Sequence, residues 1–150
     1  MTEKITLIEG STGASDPAEL AWAFPDVDAG QQPFGGRVVV QLRRIKKTAR
    51  GSKIILVSET KETEKWNNMI GKVVALGALA FKNRDSMQPW PEGSWAEVGD
   101  YVRVPRWGGD RWERKVPGEE GDDPVLFITI NDHELISKVT DDPLSFNAYV

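Results

Sequence analysis

Cysteine is absent from the 150-residue chain. That excludes disulfide bonds, thiolate metal ligands and thiol nucleophiles, and it is compatible with a reducing cytosol. Long apolar runs are absent too. No stretch approaches the length needed to span a bilayer, and the opening "MTEKITLIEG" lacks the apolar core of a secretory signal, so the expectation is a cytoplasmic protein without membrane contact. Excess positive charge is also missing. A net charge of −4 and a pI near 5.1 disfavour a general nucleic-acid binder, which needs a positive surface to neutralise phosphates. One local exception is "RRIKKTARGSK", six basic residues between Arg43 and Lys53, which read as the solvated base of a loop.

The familiar signatures of chemistry are also missing. "GSTGAS" has no following Gly-Lys-Ser/Thr and so makes no phosphate loop, and "EGSWAEVG" does not follow a strand as a nucleophile elbow must. "DVDAG" resembles the opening of a calcium loop, but Arg37 stands where the bidentate carboxylate belongs, so it reads as a turn. His133, the single histidine, lies in "NDHEL", which is ordinary turn chemistry after a strand. No catalytic residue, metal ligand or cofactor is therefore expected, and an enzyme is the least supported class.

What is present is β-strand patterning in a chain long enough for one core-bearing domain. "RVVVQLRRI" is β-branched, with Val38, Val40 and Leu42 on one face and Val39, Gln41 and Arg43 on the other. Further strands are expected at Ile70 to Leu76, Val98 to Pro105 and Val125 to Asn131, with "HELISKV" as a short strand or one helical turn. Residues 1–32 are rich in Gly, Ser, Asp and Pro, carry only a short possible helix around Pro17 to Phe24, and read as an N-terminal extension. Between the strands lie long irregular segments, Lys46 to Asn68, Ala78 to Glu97 and Arg106 to Pro124, and long loops in a small domain are where function is sought. The pattern predicts an all-β barrel or sandwich. All six tryptophans fall outside the expected strands, where they serve core lids, subunit contacts or client contacts, and "PWPEGSW" reads as a hairpin tip.

Five segments in order carry a resemblance: "PFGGRVVVQLRR", "GSKIIL", "IGKVVALG", "EVGDYVRVP" and "VLFITINDHELISKV". From about Pro33 to Val139 the chain resembles the GroES-type co-chaperonins, the heptameric lids of the chaperonin folding chamber. It departs from them in Gly35-Gly36 before the first strand, in its first 32 residues, in longer loops and in the appended "DDPLSFNAYV". Such extended, divergent members are similar to those carried by large bacteriophages.

The resemblance implies an all-β, GroES-like small irregular β-barrel at 33–139 with an extension at 1–32 and a tail at 140–150. It also implies a mobile loop at about 47–66 and a roof-like segment at about 78–97. Ile54, Ile55 and Leu56 would dock on a GroEL-type chaperonin ring, with Gly51 and Ser52 as a flexible flank. Val38, Val40, Leu135 and Ile136 would form the subunit interface of a ring, expected to be a heptamer, and Trp107 would face the chamber that encloses an unfolded client such as a phage capsid protein. Nucleotide hydrolysis would belong to the chaperonin. The rival reading of "KIILV" is a buried strand, since its β-propensity is high. The alternative function is an oligomeric β-barrel structural or decoration protein without a chaperonin partner.

Overall fold

A computed structural model describes residues 16–45, 68–119 and 123–146. Its strands are β1 (Arg37–Leu42), β2 (Ile70–Leu76), β3 (Tyr101–Arg103), β4 (Asp110–Arg114), β5 (Val125–Asn131) and β6 (Ser137–Lys138). They form one six-stranded antiparallel sheet in the order β4-β5-β1-β2-β3-β6, with a single short helix α1 at Pro17–Ala23. The fold is all-β, as its β-branched segments predict. Among the described residues no ladder joins β4 to β6, so the sheet has two free edges. No described helix is long and apolar enough to cross a membrane.

The central position of β1 follows from its residues. Val38, Val39 and Val40 are fully buried, because alternate side chains point to opposite faces and both faces are covered. Val38, Val40 and Leu42 join Val73, Phe81, Val102, Val104, Leu126, Ile128 and Ile130 in the main core. Val39 joins Val27, Ala29, Val125 and Phe127 on the opposite face. A bulge pairs Val39 with Ala75 but Val40 with Val73, leaving Val74 as the extra residue.

Glycine brackets β2 for a steric reason. A Cβ on Gly71 would lie 2.8 Å from the Gln41 carbonyl oxygen, and one on Gly77 would lie 2.1 Å from that of Gly35. Only glycine permits β1 and the turn before it to approach the two ends of β2 so closely.

Residues 16–32 do more than extend the chain. Asp16 caps α1 by accepting from the Ala18 amide at 2.8 Å, Pro17 preorganises the first turn, and the helix stops at Phe24 before Pro25. Ala23 and Phe24 then pack with Ile70, and the Phe24 ring meets Tyr101 edge-on at 5.0 Å. Beyond them Gln41, buried in β1, donates to the Pro25 carbonyl at 2.7 Å, and the Trp112 indole donates to Ala29 at 2.8 Å. This stretch is the lid of the second core face. "DVDAG" is a turn as its residues suggest: Asp28 accepts from the Gly30 amide, and Gly30 has φ +79°.

Three expectations require correction. The third strand is limited to Tyr101–Arg103, because Val98 to Asp100 form a turn in which Gly99 has φ +102°. A strand occurs inside the expected Arg106–Pro124 loop: β4, "DRWER", pairs with β5 along its whole length. An edge strand needs only one packed residue per two, and here Trp112, stacked on Phe127 at 5.7 Å, supplies it. The hairpin tip falls at 83–88 under a Lys82–Pro89 bridge, while "PWPEGSW" makes the following turn at Gly93.

Candidate interaction site

The connection between β1 and β2 contains residues 46–67, and with it Gly51, Ser52, Ile54, Ile55 and Leu56, all outside the described residues. What the structure describes is the root from which that connection leaves. Its two ends lie side by side, because Leu42 pairs with Gly71 and the Arg43 amide donates to Ile70 at 2.9 Å.

Asn68 holds the return limb. It is 1% exposed; its Nδ2 donates to the Arg43 carbonyl and its Oδ1 accepts from the Ile70 amide at 3.0 Å. Arg44 holds the outgoing limb. Its amide donates to Ala23, its Nε donates to the Trp22 carbonyl at 2.8 Å, and one Nη donates to both Glu119 and the Asp123 carbonyl at 2.8 Å. The second Nη donates to the other Glu119 oxygen at 3.1 Å, completing a bidentate fork, and the guanidinium lies 4.4 Å from the Trp22 ring centroid. The hydrogen bond from Arg44 holds the Glu119 carboxyl below its ordinary pKa. Arg43 donates to the Pro143 and Phe146 carbonyls at 2.7 and 2.8 Å, tying residues 143–146 to the same root. Part of the basic run is thus a buried anchor, a role that a charge count cannot separate from a solvated loop base.

The other expected site residues scatter. Val38 and Val40 sit in the core of a strand flanked by β2 and β5, so they cannot form an edge-to-edge subunit interface. Among the described residues the sheet's edges are β4 and β6 instead. Leu135 is partly buried against the main core, whereas Ile136, next to β6, is 54% exposed. Together they wall a groove of about 500 Å³ that also touches Glu92, Trp95, Val102 and Lys138. Trp107 is 69% exposed, in the turn between β3 and β4.

His133 lies in the 3-10 turn Asp132–Glu134, whose carboxylates serve backbone groups. Asp132 accepts from the Phe81 amide at 2.6 Å and from the His133 amide, and Glu134 accepts from the Asn131 amide at 3.0 Å. The arrangement is a clasp that holds Phe81 at φ +62° against the core.

No protein-family model matches the chain, and no curated protein matches it.

Proposed function

We propose that this protein is a ring-forming co-chaperonin, a lid that docks on a GroEL-type chaperonin through residues 54–56 and encloses an unfolded client. The observation that carries the reading is the root: a long connection bearing "GSKIIL" leaves and re-enters one end of the sheet between adjacent strands, clamped by Arg44 and Asn68. The order of the family-like segments around it supports the same reading. Full burial of Ile54, Ile55 and Leu56 in an apolar groove would contribute roughly 1.5–3 kcal/mol each. Ordering each residue of the connection would cost about 1–2 kcal/mol, so one such contact is weak and several on a ring act by avidity. A reversible lid needs that balance.

The ring contact in this reading uses the β6 edge with Leu135 and Ile136. A phage-encoded origin, a heptamer and a capsid-protein client are the finer terms of the proposal, and cytoplasmic location goes with them. The alternative, a structural or decoration protein, draws on the two open sheet edges, which any β assembly can use.

The test is native mass measurement of the protein and of an Ile54→Ser, Ile55→Ser, Leu56→Ser triple variant, each with and without GroEL-type chaperonin and ATP. The expected result is one oligomer mass for both proteins and an ATP-dependent chaperonin complex for the unsubstituted protein alone. An oligomer that never binds chaperonin selects the decoration reading. A monomeric or unfolded variant places the three side chains in the core.

A further inference from the structure

The turn between β3 and β4, "RWGGDR", holds two arginines whose surroundings differ from those of every other cation described above. Arg111 on β4 is opposite Ile128 and donates only at long range, to the Pro105 carbonyl at 3.3 Å and the Arg106 carbonyl at 3.4 Å. Its other terminal nitrogen is buried without a partner, and so is Nε of Arg106. Burial alone pushes the Arg111 pKa down. Among the described residues neither guanidinium has a carboxylate, although Asp110 and Glu113 flank Arg111 on the same strand.

Charged N–H groups without acceptors are costly where they are buried, and a carboxylate is the acceptor that suits a guanidinium without a counter-ion. Next to them the Arg106 guanidinium lies 5.0 Å from the Trp107 ring centroid, a contact that prepositions it while leaving the indole 69% exposed. Gly108 and Gly109 have φ +91° and +73°. A Cβ on Gly109 would collide with Ile128 and Ile130, whereas nothing lies within 4 Å of one on Gly108. The turn is therefore packed hard on β5 on one side and open on the other. Among the described residues strand β4 pairs with β5 alone, and its outer backbone groups can receive another strand.

We propose that Arg106 and Arg111 form a carboxylate-binding site for an extended acidic peptide, which adds to the free edge of β4 and packs an apolar side chain on Trp107. Charge complementarity selects the occupant: two cations without a counter-ion among the described residues suit isolated carboxylates, while Asp110 beside them repels a continuous polyanion. The inference does not depend on the co-chaperonin reading.

Fluorescence anisotropy of the full chain with a labelled peptide of alternating Val and Glu, and with its Gln-for-Glu counterpart, tests it. The Glu peptide is expected to bind, with the Gln peptide weaker by about tenfold. Arg106→Gln and Arg111→Gln should each lose about tenfold, and Trp107→Ala a few-fold. Far-UV circular dichroism checks folding of each variant; should Arg111→Gln unfold, Arg106→Gln decides alone. Equal binding of both peptides, undiminished binding by Arg106→Gln, no saturable binding, or tighter binding of a single-stranded oligonucleotide would each overturn the proposal.

Discussion

Arg44 is buried and Arg111 half-buried, each beside a tryptophan-bearing segment, yet their surroundings are opposites. Around Arg44 the chain supplies a bidentate carboxylate, two carbonyls and an indole face. Around Arg111 it supplies two distant carbonyls and leaves a nitrogen orphaned. A buried cation that brings its own partners locks local structure, because removing it strands every acceptor. One with two long carbonyl contacts and no carboxylate contributes less to folding and still lacks a counter-ion.

The widest separation between the two should appear in their methionine variants. Arg44→Met leaves the Trp22 and Asp123 carbonyls unsatisfied and is expected to cost about 3 kcal/mol in urea unfolding. Arg111→Met, by contrast, should stay within about 1 kcal/mol of the parent, since an apolar isostere replaces an uncompensated charge. Equal losses would mean that both arginines are equally locked into the fold. Asn68→Ala removes the other clamp of the root, and a loss of about 2 kcal/mol is expected, with faster hydrogen exchange at the Ile70 amide as the local readout.

The smallest effect is in pH dependence. The Glu119 pKa is lowered in the folded protein by the Arg44 hydrogen bond, so the stabilisation is present above the ordinary glutamate value and is lost as pH falls through the lowered one. Glu119→Gln should flatten the acid limb of the stability profile. Because Glu119 is largely exposed, the change is modest. Arg111→Met should leave that limb unaltered.

How far these features could be read in advance depended on the kind of signal. Strands β1, β2 and β5 announce themselves because they are central and buried on one or both faces, which demands β-branched or apolar residues. "DRWER" hid its strand because an edge with one packed tryptophan has almost no hydrophobic period. The "NDHEL" turn was legible from its turn-forming residues after a strand, but the Asp132 bond to Phe81, 51 residues away, was not. Nor was the site at Arg106 and Arg111: "RWGGDR" says turn and says cation, while the missing counter-ion is a property of neighbours brought together by pairing.

Sequence by itself determined the all-β class, the main strands, the turn glycines and the absence of thiol chemistry, since each depends on residue type and near neighbours. Tertiary structure alone decided that Val38 and Val40 are interior and not an interface, because a strand's place in the sheet depends on what pairs with both of its sides. It alone decided which arginines of a charged chain are satisfied, because acceptors for Arg44 come from residues 22, 119 and 123. Hydrogen-bond balance is a three-dimensional sum, and no local window of sequence contains its terms.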